Sequence, residues 1–330
     1  LEKGATDQVF DKVMDYLCGY LAQAPPPPRA ARPLARLTHW LIPDTDRGQL
    51  ETILENVLTG FYVKGLKRCA EIINEELEVD YSRPAPLVKV IGEFWAQTTE
   101  GDGNFRMFEF LENEGAEVAV EPIMTWMSYL VDVARCRAVD RRGATADPLP
   151  PYAVLSHIRN AAGYGLSRLR IALIDYVFHR QYKRIREALG GVTRPQTRQA
   201  TLRRLAAPYY DHRLMGGEGH LEIGKAIYFG TGHLCHMLVG LKPFGCLPST
   251  QSDAAMAAVT AHHPEILYVP IETSGEGDVN AYSRVQMTLT EAKQRCKEEH
   301  QRALDEAGLS PEAVQRLVTT DRELRRPLRP

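Results

Sequence analysis

The sequence predicts an α/β fold, a parallel sheet flanked by helices, with an N-terminal helical arm and a large helical insertion. Short apolar runs that end beside Gly or Pro are typical of buried parallel strands. Helical periodicity separates the first two of these runs, which predicts a strand–helix–strand unit. Further along the chain, helical periodicity continues for much longer than one crossover connection needs, and this indicates an insertion.

Residues 1–84 are predicted to form a helical arm and a linker. Apolar residues recur at helical spacing over 6–22 and again over 46–77, where a break near Gly60 or Gly65 is expected. Between these stretches, four consecutive prolines at 25–28 predict a stiff polyproline spacer.

The α/β domain is predicted over residues 85–330. Its strands are expected in one parallel sheet, at residues 87–92, 117–120, 236–241 and 266–270. Helices outside the insertion are expected at 104–114, 122–137, 219–229, 253–262 and 279–307. The insertion covers about residues 140–215 and contains helices over 152–189 and 198–208, after a loop at 140–151.

Composition argues against several classes of partner and location. The formal net charge of −2 gives no reason to expect nucleic acid or an anionic membrane. No apolar run reaches the roughly 20 residues that cross a bilayer, and the first residues lack the apolar stretch of a signal peptide. The six cysteines are irregularly spaced and form no CxxC pair, so we expect reduced thiols in a cytoplasmic protein.

Cys246 stands in a loop, LKPFGCLPST, that directly follows a predicted strand. Gly245 frees the backbone before the thiol and Pro248 restricts it afterwards, so the side chain is held in one direction. Ligands of open α/β sheets bind at the carboxyl ends of the strands. The position therefore suits a metal ligand or a reactive group, and the alternative is a plain buried thiol.

Two carboxylates also follow predicted strands. Glu93 comes after the first strand and Glu272 after the last, and parallel strands would bring both to the same edge as Cys246. We predict that both are catalytic carboxylates. Alternatively they are solvated or cap helices, which is also our interpretation of Glu276 and Asp278.

Gly217 and Gly219 belong to a Gly-rich helix start, MGGEGH. Free N–H groups at such a start can hold an anion, so both glycines are candidate cofactor-binding residues. The spacing matches neither the Walker motif nor GxGxxG, and a flexible helix start is the alternative. This segment alone favours a further hypothesis, a nucleotide-binding α/β enzyme.

Four motifs in a fixed order resemble those of one protein family. They read IGEFWAQTTEGDGNFRMFEFLENEGAEVAVEPIMTWMSY, GEGHLEIGKAI, LKPFGCLPST and ILYVPIETSGEGDVNAYSRVQMTL. Over roughly residues 86–293 the chain is similar to the acyl-CoA dehydratase activase-related proteins. These are relatives of the 2-hydroxyacyl-CoA dehydratase and benzoyl-CoA reductase subunits, and of the double-cubane cluster proteins.

The resemblance implies a flavodoxin-like domain and a [4Fe-4S] cluster. In this family, cysteines from separate loops of two such domains hold the cluster, and an activator ATPase supplies low-potential electrons. Cys246 would be the ligand from the second domain, and the N–H groups of the loop with Gly245 would bond cluster sulfurs. The reaction would be one-electron reduction of a hard-to-reduce substrate such as an acyl-CoA, with ATP bound only by the separate activator.

The chain departs from the family because, apart from the CLP of the Cys246 loop itself, it contains none of the CxP- and PCR-like motifs that supply the other ligands. Those motifs lie on another stretch of a longer polypeptide, or a partner subunit supplies them, or this version has lost the cluster. The expected partners are an activator ATPase and a second domain or subunit, without nucleic acid or membrane, and a homo-oligomer stays open. The rival function is a cluster-free module that docks the activator or a catalytic subunit.

Overall fold

The computed structural model of the protein describes residues 4–23, 59–141, 154–192, 194–214, 217–274 and 277–328. The chain divides into two compact units. The first unit comprises Leu1–Tyr81, Ala134–Pro195 and Leu317–Pro330, and the second comprises Ser82–Val133 and Gln196–Arg316. The predicted polyproline spacer and nearly all of the predicted loop at 140–151 lie outside the described residues.

The strands belong to the second unit, where helices alternate with them, and the helices of both units are numbered together in chain order. The strands are β1 Leu87–Gly92, β2 Glu117–Ala119, β3 Met237–Pro243 and β4 Tyr268–Thr273. The α-helices are α1 Ala5–Ala22, α2 Phe61–Glu76, α3 Phe94–Thr98, α4 Met107–Asn113, α5 Ile123–Asp140, α6 Val154–Ala188, α7 Gln199–Ala206, α8 Gly219–Thr231, α9 Leu247–His262, α10 Asp278–Ala307 and α11 Pro311–Thr320. Short 3₁₀ turns occupy Asp102–Asn104 and Arg322–Arg325.

The described part of the first unit is helical. Helices α1 and α2 pack through an apolar cluster of Val9, Val13, Cys69, Ile72 and Leu77, and α6 packs against α2. The predicted helix over 6–22 is observed. Of the helix predicted over 46–77, the part after Gly60 is observed and residues 46–58 lie outside the described residues. The long helix predicted within the insertion is α6, which the structure groups with the N-terminal helices; the domain boundaries themselves stay a prediction.

The second unit is built on a four-stranded parallel sheet in the order β2-β1-β3-β4. The predicted α/β fold with one parallel sheet is therefore confirmed, and its order follows the flavodoxin-like series. Both β3 and β4 continue beyond their predicted ends, to Pro243 and Thr273. The register places Lys242 of β3 beside Glu272 of β4.

Apolar layers cover both faces of the sheet. On one face, α4 and α10 pack on β1, β3 and β4 through a buried cluster: Val88, Val90, Met107, Leu111, Met237, Val239, Leu241, Val269, Ile271, Val285 and Leu289. On the other face, α7, α8 and α9 pack through Ile91, Ala206, Ile223, Ala226, Leu238, Met256 and Val259. Side chains alternate between the faces along each strand, because successive residues of a strand point in opposite directions.

Strand β4 is the outermost strand on one side of the sheet. The backbone N–H and C=O groups of its successive residues point alternately toward β3 and away from it. The carbonyls of Leu267 and Thr273 accept hydrogen bonds from N–H groups of the β3 segment at 2.7 and 3.2 Å. The alternate residues Tyr268, Pro270 and Glu272 therefore direct their backbone groups outward. Proline has no N–H, so its position on the outer edge removes no hydrogen bond from the sheet.

Among the described residues, no helix is long and apolar enough to cross a membrane.

Candidate functional site

The carboxyl end of β1 lies directly against β3. Gly92 has a φ of +117°, and a Cβ built on it would stand 2.1 Å from the carbonyl oxygen of Leu241. The next N–H, that of Glu93, donates to the same oxygen at 2.9 Å. Only glycine has the conformational freedom and the small volume for this approach, so the chain leaves the sheet here by a fixed turn.

Glu93 begins the short helix α3. Its carboxylate accepts a hydrogen bond from the N–H of Ala96 at 3.0 Å, which is the geometry of an N-cap. The turn leaves Trp95 exposed and Gln97 buried. The Gln97 amide donates back to the Gly92 carbonyl at 3.0 Å. One oxygen of Glu93 therefore has a structural role, and its catalytic role stays a prediction.

Cys246 is the N-cap residue of α9, at the carboxyl end of β3. Gly245 before it is left-handed, with a φ of +72°, and the Cys246 N–H donates to the carbonyl of Pro243 at 3.3 Å. The thiol is neither fully buried nor fully exposed. On either side, Phe244 and Leu247 are 72% and 70% exposed. The loop thus presents a thiol between two exposed apolar side chains.

The Gly-rich segment lies against this loop. A Cβ on Gly217 would come within 2.4 Å of the Pro248 side chain, and a Cβ on Gly219 within 2.5 Å of the Tyr210 hydroxyl. The hydroxyl of Tyr129 donates to the Gly217 carbonyl at 2.9 Å. Close packing therefore explains why both positions are occupied by glycine. Their cofactor-binding role stays a prediction. Residues 215–216 lie outside the described residues.

Glu272 lies within β4, one residue before the end of the strand, and is exposed. The structure thus brings Glu93, Gly217 and Cys246 to the carboxyl ends of β1 and β3. Glu272 lies in β4, the outermost strand on the other side of β3. Asp278 stands in the first turn of α10, as expected of an acidic residue at a helix start. Glu276 lies outside the described residues.

Glu218, which the sequence analysis did not single out, is a carboxyl group at the same edge. It precedes α8, and the Gln97 amide donates to its Oε2 at 3.2 Å. The pKa of Glu218 is raised to about 7, mainly by burial. The negative charges of Glu93 and Glu222 also raise this pKa, whereas the charge of Lys225 and a hydrogen bond with Trp126 lower it. A carboxyl group with such a pKa exchanges protons near neutral pH.

A small cavity of about 10 Å³ adjoins Glu218, which is room for about one water molecule. Its polar lining consists of Gln97, Thr98, Glu121, Glu218 and Lys225. The buried amide oxygen of Gln97 has no hydrogen-bond partner among the described residues. The cavity therefore joins a titrating carboxyl group to an unpaired acceptor.

A buried ion pair lies beside this cavity. The ammonium of Lys89 on β1 is 2.6 Å from a carboxylate oxygen of Glu121. Burial acts to raise the pKa of Glu121, but the charges of Lys225 and Lys89, with hydrogen bonds from Lys89 and Thr125, hold it at about 2. Glu121 is therefore a fixed negative charge, in contrast to Glu218.

A second buried network surrounds Lys242, whose side chain is 0% exposed. Its ammonium lies 2.7 Å from a Glu222 oxygen and also contacts Asp253. The hydroxyls of Ser252 and Tyr268 donate to Glu222 at 2.6 and 3.0 Å. Burial and the two carboxylates raise the pKa of Tyr268 well above its usual value, so the phenol stays a donor.

His220, on the first turn of α8, is 2% exposed. Neither ring nitrogen has a hydrogen-bond partner among the described residues. Its ring centroid lies 5.4 Å from that of Tyr129 and 6.5 Å from that of His212. Burial, followed by the nearby charges of His212, Arg203 and Lys225, lowers the pKa of His220 to about 4, so the imidazole is neutral at neutral pH.

The remaining cysteines lie on other elements than the Cys246 loop. Cys235 precedes β3, at the amino end of the sheet, and the others lie on helices: Cys18, Cys69, Cys136 and Cys296. Within the described part of the chain, no group of three or more His, Cys, Asp or Glu side chains could hold a metal ion. The described residues alone therefore do not make up the ligand set of a whole cluster, and the ligand role of Cys246 stays a prediction.

Comparisons with protein-family models, with curated proteins and with solved structures found no match for this chain.

Proposed function

We propose that the carboxyl edge of the second unit is a docking face that presents Cys246 to an iron–sulfur centre completed by a second domain or subunit. The observation that carries this proposal is the Cys246 loop itself. A partly exposed thiol stands on a fixed N-cap between Phe244 and Leu247, which expose 72% and 70% of their surface. Trp95 adds a third exposed apolar side chain after β1.

Large exposed apolar side chains around one point favour a protein interface at that point. Aromatic residues are enriched in such interfaces because they bury much area with few rotatable bonds. A cubane held by thiolates from two bodies would need this kind of surface, because the partner has to exclude water from the cluster. Helix N-termini also favour negative charge beside them, and Cys246 lies at that end of α9.

The wider system in this proposal is an ATP-driven reductase or dehydratase that acts on a hard-to-reduce substrate such as an acyl-CoA. The cluster would supply single electrons at low potential. Because Cys246 would be the one ligand from the described residues, we assign no electron-transfer step to this chain alone. An activator ATPase and the second domain or subunit are the proposed partners, and Glu93 and Glu272 keep their proposed catalytic roles.

A cluster-free docking module is the second candidate. It needs the same exposed residues, Phe244, Leu247 and Trp95, but it gives Cys246 no ligand role. The structural reasons found for Gly217 and Gly219 suit this candidate, because they need no cofactor at the helix start.

The two candidates differ in what each side chain contributes to an assembly. The full chain is purified anaerobically from its source with its associated proteins, and iron and acid-labile sulfide are measured. Cys246→Ser should lose iron and keep the partner, whereas Phe244→Ser should lose the partner. Cys18→Ser and Leu169→Ser are matched controls, because both side chains are exposed on helices of the first unit.

An iron-free wild-type assembly that still depends on Phe244 would establish the cluster-free module. An assembly indifferent to both Phe244→Ser and Cys246→Ser would overturn both candidates, provided that circular dichroism shows folded variants.

A further inference from the structure

A groove of about 690 Å³ runs along the outer edge of β4, between α9 and α10. Its volume is within the usual range for small-molecule sites. We propose that this groove binds a small organic cation, an ammonium or guanidinium group on an apolar body. The inference concerns a different face from the Cys246 loop and does not depend on the proposed function.

The groove lies beside β4, where the sheet formed by the described residues ends. The order β2-β1-β3-β4 matches the first four positions of the flavodoxin-like series, in which a fifth strand follows the fourth. At that position the described residues leave an open channel. It is lined by side chains of α9, β4 and α10, among them Asp253, Met256, Ala257, Tyr268, Met287 and Glu291.

The charge of the lining favours a cation. Asp253 and Glu291 are its only charged residues among those described, and no basic side chain lines it. Glu291 is an exposed residue paired with Arg295 at 2.6 Å. A ligand carboxylate or phosphate would find no basic side chain in this lining, so an anion is disfavoured.

Asp253 connects the groove with the buried network. One ammonium, that of Lys242, lies between the carboxylates of Glu222 and Asp253, so the group of three carries one excess negative charge. Lys242 and Glu222 are almost completely buried, whereas the Asp253 side chain is 29% exposed. Asp253 is therefore the member of this group that a ligand in the groove can reach.

The walls suit an apolar ligand body and disfavour an added strand. Met287 is exposed and unbranched, so it can adapt to different shapes, and Ala257 leaves space opposite it. An incoming strand would need donors along β4, but Pro270 offers no N–H at the centre of the outer edge. The groove thus accommodates a compact amphipathic cation better than an extended peptide.

The experiment uses 4-phenylbutylammonium as the probe, with 4-phenylbutanol and 4-phenylbutanoate as neutral and anionic controls. Binding to the full chain is followed by NMR shifts of the Met287 methyl group. The ammonium probe should bind saturably, at least tenfold more tightly than the alcohol, and the carboxylate should not bind. Equal affinity for ammonium and alcohol would overturn the proposal, as would shifts that never saturate.

Three variants locate the site. Ala257→Trp should abolish binding by filling the groove, Asp253→Asn should weaken it at least tenfold, and Glu291→Gln should weaken it about threefold. Since Asp253 also contacts Lys242, its variant is interpreted only if its melting temperature matches that of the wild type, and Ala257→Trp tests the groove without altering charge. Glu306→Gln, an exposed carboxylate near the end of α10, should have no effect. Unchanged binding in Ala257→Trp would refute the location.

Discussion

Glu218 and His220 stand two residues apart at the start of α8 and have opposite effects on stability as the pH changes. Burial is the main cause of both pKa shifts: it raises the pKa of Glu218 to about 7 and lowers that of His220 to about 4. In each case burial disfavours the charged form. The consequence can be tested by removing one group at a time.

For Glu218, the folded protein keeps a proton that the unfolded chain releases between pH 4.5 and about 7. Stability therefore falls as the pH rises through this window. The separation of about 2.5 pH units between the two pKa values corresponds to about 3 kcal/mol of unfolding free energy. This contribution is present below pH 4.5 and is lost at neutral pH and above.

For His220, the unfolded chain binds a proton that the folded protein refuses between pH 6.5 and about 4. Stability is therefore fully present above pH 6.5 and is lost as the pH falls. The separation of the pKa values is similar, so the loss is again about 3 kcal/mol. Between pH 4.5 and 6.5 the loss of stability from Glu218 and the gain from His220 as the pH rises nearly cancel in the wild-type protein.

Glu218→Gln separates the two contributions. The neutral side chain can still accept the Gln97 hydrogen bond, so we expect no change at pH 4.5 and a gain of about 3 kcal/mol at pH 8. Urea unfolding of the full chain, followed by circular dichroism and by tryptophan fluorescence, measures the difference at each pH. At an m-value of about 2 kcal/mol/M the gain moves the midpoint by about 1.5 M.

Glu306→Gln is the control, because Glu306 is exposed on α10, and its difference from the wild type should not vary with pH. If Glu218→Gln and the wild type differ by the same amount at pH 4.5 and pH 8, the burial argument for Glu218 is wrong. A variant that is stabilised at low pH and not at high pH would reverse the sign and refute the reasoning altogether.

Two further predictions concern close packing and buried charge. Gly92→Ala should destabilise the second unit by more than about 3 kcal/mol, from backbone strain and a clash with the β3 carbonyl, whereas Gly103→Ala, which has open space around its Cβ position, should change the melting temperature little. Lys242→Met should cost about 3–5 kcal/mol because it leaves two carboxylates without their cation; Lys293→Met, at a partly exposed ion pair, should cost less than about 1 kcal/mol in the same urea titration.

The fold could be predicted because the central strands, β1 and β3, are short and largely apolar runs that are buried on both faces. The ends of the strands and helices were harder to predict, and Lys242 explains why β3 is longer than predicted. A lysine normally ends an apolar strand, but here it continues β3 because Glu222 and Asp253 neutralise it inside the core. Helix α9 begins at Leu247 and not at residue 253, since proline is tolerated in a first helical turn.

The candidate site was predictable only where it follows a strand. Cys246 and Glu93 come directly after β3 and β1, so their place at the carboxyl edge could be inferred from the sequence. The burial of Glu218, His220 and Lys225 could not, because it depends on which surfaces of α8 are covered in three dimensions. A signal was present nonetheless: GHLEIGKAIYFG carries charged residues among glycines and apolar residues, a pattern typical of a helix packed on several sides.

The two edges of the sheet bear on how the protein behaves when it is concentrated. A sheet edge with free backbone groups is a template for pairing with another molecule, and this is how many β-rich proteins aggregate. One edge here, β2, is only three residues long, and the other carries a proline whose nitrogen points outward. As the described residues form them, neither edge offers a long run of intermolecular hydrogen bonds, which disfavours the growth of sheet-to-sheet polymers from the folded state.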